Sequence, residues 1–190
     1  TQRRDGFAVE FLLVDADSDD GTTELIATIA EHEPDVRLLH NPQRRTPFAM
    51  NIGLRAARGD LVAILGAHAT YDPDYLAVCL RELRQREVTG VSGRVVPVPA
   101  SERPADLLNC WTISHRFGSS GRSFRTLPEG DVDSLPYPLF RKAPLLEIGG
   151  YDERLLRNQD NDLNQRLRDA GHRLWLTHAT GARYRFRPGL

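Results

Sequence analysis

An α/β fold, with a mostly parallel, mixed central sheet flanked by helices, is the reading this sequence supports, on three observations. Short apolar runs stop at acid- or glycine-rich turns, amphipathic stretches follow them, and the two alternate as strand, helix, strand, helix, strand through residue 65. Such alternation argues for parallel strands covered by helices, with ligands lying beyond the carboxyl ends of the strands. The 190 residues, 40% of them hydrophobic, suffice for one sizeable core, so a single domain over 1–190 is expected.

Each element has its own signal. Residues 7–14 (FAVEFLLV) read as a buried strand that stops at DADSDDGT. A helix over 22–33 follows, with Leu25, Ile26 and Ile29 on one face, Asp20, Gly21 and Thr22 available to cap it, and Pro34 to close it. Strand 36–39, a helix over 46–58 opened by Pro47, the turn Gly59-Asp60 and strand 61–65 complete the alternation. A helix over 73–87 carries Leu76, Leu80 and Leu83 on one stripe and Glu82 four residues before Arg86. Cys79, beside that stripe, reads as a core thiol. Strand 91–98 meets Pro97 and Pro99, the mark of a sheet edge or an exit. Between 100 and 133 periodicity is weak, and FGSSGRSFR reads as a mobile loop. A strand over 135–140, the turn IGGYDE, a helix over 158–170 with Leu163 and Leu167 inward and Gly171 at its end, and a strand over 173–177 complete the chain.

Composition narrows the function classes. Twenty-five basic residues against 26 acidic ones leave a formal charge of -1 and a pI near 6.6. That balance gives no bulk attraction to nucleic acid, and no nucleic-acid partner is expected. No apolar run approaches a membrane span, and TQRRDGF lacks the apolar core of a signal peptide. Two cysteines, Cys79 and Cys110, fit a reducing, cytoplasmic compartment. No G-x-G-x-x-G follows the first strand and no Gly-Lys-Ser/Thr is present, which argues against a dinucleotide dehydrogenase and a P-loop.

Three places could carry chemistry. Asp15 and Asp17 follow a buried strand directly, where carboxylates can accept hydrogen bonds from a ligand's hydroxyl and N–H groups; the same residues also make ordinary turns. His68, in Gly66-Ala67-His68, lies past another strand end, where an imidazole can hold a divalent metal or simply be structural. Asp72-Pro73-Asp74 reads as a helix start. Asp160, in the run Asn158-Gln159-Asp160-Asn161-Asp162, opens a helix near the positive end of its dipole, so it stays ionised unless buried and can act as a base; N-capping is the plainer alternative.

These motifs together resemble the family 2 glycosyltransferases of GT-A fold, most closely those of succinoglycan and related exopolysaccharide biosynthesis. VDADSDDGT is similar to that family's nucleotide turn, NPQRRTPFAMNIGLRAARGD to its middle helix, AHATYDPDYL to its metal segment, and IGGYDERLLRNQDNDLNQRLRDAGHRLWL to its acceptor-side turn and catalytic helix. The resemblance implies a Rossmann-like nucleotide-diphospho-sugar transferase fold and an inverting transfer from a nucleotide sugar, UDP-linked by expectation, to an acceptor hydroxyl of a glycan or lipid-linked substrate. By the same resemblance Asp15 and Asp17 contact the nucleoside, Asp160 is the base, His68 stands on the metal side with Mg²⁺ or Mn²⁺, and the work is cytoplasmic, peripheral to the inner membrane face.

Three departures from the family pattern matter. The family commonly has Asp where this chain has Gly66, and losing that carboxylate weakens a site for a hard cation; His178 is the candidate compensating ligand. It commonly has Glu where this chain has Gln159, which keeps hydrogen bonding and loses a charge. It usually begins with a strand and helix ahead of the first turn, which this sequence reads as lacking. A catalytically silent relative that binds nucleotide or a partner is the rival reading these departures support.

Overall fold

In a computed structural model of the chain, which describes residues 6–115 and 123–185, the first apolar run pairs over its second half only. In chain order the elements are β1 (Phe11–Asp15), α1 (Thr22–His32), β2 (Val36–His40), α2 (Thr46–Ala56), β3 (Leu61–Ala63), β4 (Ala69–Tyr71), α3 (Tyr75–Gln85), β5 (Gly90–Val98), α4 (Pro104–Ser114), β6 (Gly130–Asp131), β7 (Leu139–Arg141), α5 (Lys142–Glu147), α6 (Gln159–Asp169) and β8 (Leu174–Arg185). They fall into two compact units: Gly6–Val62 with Arg141–Ala170, and the described residues of Ala63–Phe140 and of the stretch from Gly171 onward.

The first unit is built on a two-stranded parallel sheet, β1 against β2, in register from Phe11 opposite Val36 to Asp15 opposite His40. Residues 7–10 find no strand partner, so the predicted strand shortens from its start. Helix α2 approaches β1 where it carries Gly53: a Cβ there would stand 3.7 Å from Val14 Cγ2, ordinary packing distance. Pro47, Asn51 and Leu54 form its buried face. Helix α1 departs from expectation, because Leu25 is 61% and Ile29 38% exposed, and none of its residues is buried. Its N-cap is Gly21 in the left-handed region, φ 87°, and Asp20 Oδ1 accepts the Thr22 N–H at 3.2 Å.

The second unit holds most of a mixed six-stranded sheet ordered β3-β7-β5-β8-β4, with β6 also on β8. The long β5 and β8 run parallel, while β4, β6 and β7 pair antiparallel. Helix α3 covers it with Tyr75, Leu76, Val78, Cys79, Leu80 and Leu83, all buried, each large apolar side chain contributing about 1.5–3 kcal/mol. Cys79 is a core thiol as read from the sequence, and burial pushes it up to about 12. Asp72 and Asp74 do not cap α3 through their side chains. They bind β8 instead, Asp72 through Arg183 at 3.0 Å and Asp74 through Thr180 Oγ1 at 3.1 Å.

Three differences from the sequence reading have physical reasons. β8 extends to Arg185 because its ladder with β5 shifts between Gly93–Thr177 and Arg94–Gly181, extruding residues 178–180 as a bulge. Helix α4 lies in the stretch without periodicity: Pro104 sits in its first turn, but Leu107, Leu108 and Trp111 are exposed, so no inward stripe advertises it. β4 is three residues long and pairs with a strand over a hundred positions away, which no local pattern encodes. Residues 117–122 of the segment read as a mobile loop lie outside the described residues.

Candidate active site

In the first unit, the turn after β1 is built around Asp15, which is 5% exposed. Its Oδ1 accepts the Ser18 hydroxyl at 2.7 Å, and its Oδ2 accepts the Ser18 N–H at 2.9 Å and the Thr23 hydroxyl at 2.6 Å. These donors, Thr23 first, hold its carboxyl down at about 2. Asp17 follows with φ 54°, a left-handed conformation that turns the chain; its carbonyl accepts Arg44 Nη2 at 3.1 Å and its Oδ1 lies 3.6 Å from His40 Nδ1. The two aspartates therefore divide the work. Asp15 organises the turn, and Asp17, with a 42% exposed side chain, presents its carboxylate to solvent.

The same unit carries Asp160 in the first turn of α6, behind a clamped turn. Asn51 is 2% exposed and bonds Tyr151 in both directions: Nδ2 donates to Tyr151 O and Oδ1 accepts the Tyr151 N–H, each at 2.8 Å. Its Nδ2 also reaches Glu153 Oε1 at 2.9 Å. From α6, Arg166 donates to Ile148 O at 2.9 Å, to Gly150 O at 2.7 Å and to Asp162 Oδ2 at 2.9 Å. Gly150 has φ 72°, and a Cβ on it would lie 2.5 Å from Asn51 Oδ1, so the turn requires glycine there. Tyr151, buried on this turn, has its phenol raised well above the usual range by burial and by the nearby Asp160.

Asp160 itself keeps solvent access, yet desolvation by the surrounding protein raises its carboxyl above the ordinary aspartate value. The sequence reading kept it ionised unless buried; desolvation acts here against the helix-end dipole. Asn158, the N-cap, adopts φ 60° and makes no side-chain capping bond. Asp162 is committed to Arg166, and the Asp160 carbonyl accepts Asn164 Nδ2 at 2.7 Å.

The second unit holds Gly66, His68 and His178. Tyr71 Oη accepts the Gly66 N–H at 2.7 Å, and a Cβ on Gly66 would meet Tyr137 Cε1 at 2.9 Å. Tyr71 and Tyr137 stack edge to face, ring centroids 5.4 Å apart. An aromatic ring thus stands where the family's carboxylate would begin. His68 precedes β4, its carbonyl accepting the Arg185 N–H at 3.3 Å. His178, read as a strand end, lies instead in the β8 bulge, its N–H donating to Glu129 Oε2 at 2.9 Å. Among the described residues no three His, Cys, Asp or Glu side chains gather to hold a metal ion. Gly66 offers no ligand and Tyr137 fills its side, so no carboxylate stands at the family's position here. Gly66→Asp should therefore destabilise the fold, by about 1–3 kcal/mol from overpacking against Tyr137. Thermal unfolding of this variant alone and with Tyr137→Ala, which should relieve the clash, checks it.

Sequence reasoning missed Asn51, Tyr151 and Tyr137, and the bonds from Arg166 to the turn. Asn51 did leave a signal: it stands between Pro47 and Leu54 on the stripe α2 buries, a polar residue where the helix period asks for an apolar one.

The profile of the glycosyl transferase family 2 matches residues 2–149. The chain belongs to that family. It is 30% identical over 177 residues to the succinoglycan biosynthesis protein ExoA of Rhizobium meliloti, covering 91% of this chain and 53% of that protein. It is 30% identical to ExoO of the same organism, covering 87% of this chain and 45% of ExoO. The chain thus spans about half the length of these relatives. Among solved structures it superposes on GalNAc-T7 with UDP, GalNAc and Mn²⁺ at a TM-score of 0.69 and 14% identity, over 94% of this chain and 38% of that one. It matches a Pyrobaculum calidifontis mannosyltransferase in complex with GDP-Man and Mn²⁺ at 0.68 and 22% identity, over 95% of this chain and 48% of that one. The fold is GT-A. Among the described residues no helix is long and apolar enough to cross a membrane.

Proposed function

We propose that this chain is the catalytic region of an inverting glycosyltransferase that moves a sugar from a UDP-linked donor to an acceptor hydroxyl during exopolysaccharide assembly, at the cytoplasmic face of the membrane. The observation that carries this reading is Asp160: a solvent-accessible carboxyl, raised by desolvation, in the first turn of a helix fastened by Arg166 to a turn that Asn51 also holds. A base whose proton affinity is raised takes a proton from an incoming hydroxyl more readily.

In this reading the acceptor hydroxyl gives its proton to Asp160 as its oxygen forms a bond to the anomeric carbon. The bond from that carbon to the diphosphate breaks on the opposite face, and its electron pair leaves on the terminal phosphate oxygen. Asp17 receives a nucleoside hydroxyl or N–H, and Asp15 keeps the turn in shape for it. His68 and His178 are the residues that would hold a divalent ion such as the Mn²⁺ of the solved neighbours, where it would offset charge on the diphosphate; no step is assigned to a metal.

A silent, nucleotide-binding role is the second reading, and the ring of Tyr137 beside Gly66 favours it. Release of nucleoside diphosphate from UDP- and GDP-linked sugars, with and without glycan acceptors, separates the two. Turnover above the buffer rate supports the transferase; nucleotide binding without turnover on any donor supports the silent role.

A further inference from the structure

We propose that the outward face of α4, built on Leu107, Leu108 and Trp111, lies against a lipid bilayer surface and enters it by apolar contact. The inference rests on the membrane-face part of the reading above and deepens it, by assigning the contact to one helix of the second unit.

Helix α4 has 11 residues and is about 16 Å long, too short to span a bilayer. One side of it is turned to the protein. Asp106, Cys110 and Ile113, spaced by four and three residues, are half-buried, and the Cys110 thiol donates to Pro97 O of β5 at 3.2 Å. The other side is turned to solvent: Leu107 is 48%, Leu108 61% and Trp111 60% exposed, and the helix period sets all three on one stripe with Pro104. The Trp111 ring stacks on His115, centroids 4.9 Å apart. Asp106 is the only charged residue from Pro104 to Ser114, and it lies on the inward side. In a chain with 27% charged residues, an exposed helix face that carries three large apolar side chains and no charge is built to be covered.

The size and chemistry of the face select its cover. The exposed surface of the three side chains comes to roughly 400 Å², half of the ~800 Å² that each partner buries in a stable complex, so the patch is too small to hold a second copy of the chain. A charged peptide finds no counter-charge on it. A bilayer needs no matched partner surface: leucines enter the acyl boundary, and an indole, apolar in body with one N–H, sits at the level of the headgroups. Glu102 and Arg103, side by side before the helix, offset each other in charge, so anionic lipid adds little and the contact resists salt.

The test is co-sedimentation of wild type, the double variant Leu107→Gln/Leu108→Gln, Trp111→Gln and Trp111→Phe with vesicles of phosphatidylcholine, alone and mixed with phosphatidylglycerol, at low and at high salt. Tryptophan emission on vesicle addition, thermal unfolding of each variant and sedimentation velocity without lipid accompany it. Wild type should partition onto both vesicles at both salts, with its emission shifted to the blue. The double variant and Trp111→Gln should partition at least roughly 10-fold more weakly, and Trp111→Phe nearly as wild type. The blue shift should vanish in Trp111→Gln. Undiminished partitioning of a folded double variant overturns this assignment and leaves the membrane-face reading standing. Binding that needs phosphatidylglycerol and vanishes at high salt does the same, by placing the contact on a charged surface elsewhere. A wild-type dimer that the double variant dissolves also overturns it, by giving the face to a second copy. Wild type that binds neither vesicle overturns both the assignment and the membrane-face reading. Release of nucleoside diphosphate from the donor in lipid-free solution should be equal in wild type and all variants, so the transferase reading is judged apart.

Discussion

Asp160→Asn should lower kcat by roughly 100- to 10,000-fold, the range a positioned general base contributes, while nucleotide affinity stays within about twofold. The amide keeps the size and most of the hydrogen bonding of the carboxyl and removes only the capacity to take a proton. Stability should move the other way. Desolvation raises the Asp160 carboxyl in the fold, so its neutral form is the one the fold tolerates, and the stabilising contribution present at low pH is lost as pH rises through the folded value. Asparagine is neutral at every pH. The variant should therefore melt no lower than wild type at pH 7.5, and higher if the desolvation is fully felt. A variant that loses activity by unfolding would show the opposite, a lower melting temperature together with weaker nucleotide binding.

Asn51→Ala should be the most damaging single change to the scaffold, at about 2–4 kcal/mol by denaturant unfolding. Three hydrogen bonds disappear, and two of them leave the buried N–H and C=O of Tyr151 without a partner. The released turn runs from Ile148 to Glu153, with Arg166 still bonding it to α6. Because Tyr151 lies close enough to Asp160 to feel its charge, the protein that remains folded should show reduced kcat with nearly unchanged KM for donor. Asn51→Asp keeps the acceptor for the Tyr151 N–H but loses the donors to Tyr151 O and Glu153, and faces Glu153 with a like charge, so it should rescue little. A stability loss under 1 kcal/mol for Asn51→Ala would mean the turn holds itself.

What could be read from the sequence follows from where the information is local. The alternation through Ala63, the α3 stripe and the α6 helix are periodic patterns, and each reappears with its ends moved by a few residues. β4, the extension of β8 and its bulge depend on partners far along the chain, and no window of sequence contains them. α4 stayed hidden because its apolar residues face outward. The site divides in the same way. Asp15, Asp17 and Asp160 stand at strand and helix ends, where position alone marks them. Asn51 and Arg166 act through backbone atoms of a turn about a hundred and about sixteen residues away, which composition cannot reveal. Gly66 was legible as a missing carboxylate; that Tyr137 fills the space was not, since the two are distant in sequence.

Asp160 is proposed as the group that takes the acceptor's proton, and the pH dependence of kcat at saturating donor tests this most directly. A base must be ionised to act, so wild type should lose rate with unit slope as pH falls, with its midpoint above the ordinary aspartate value near 3.8. In Asp160→Asn the residual rate should be flat across that limb. The same acid limb surviving in the asparagine variant would place the base elsewhere.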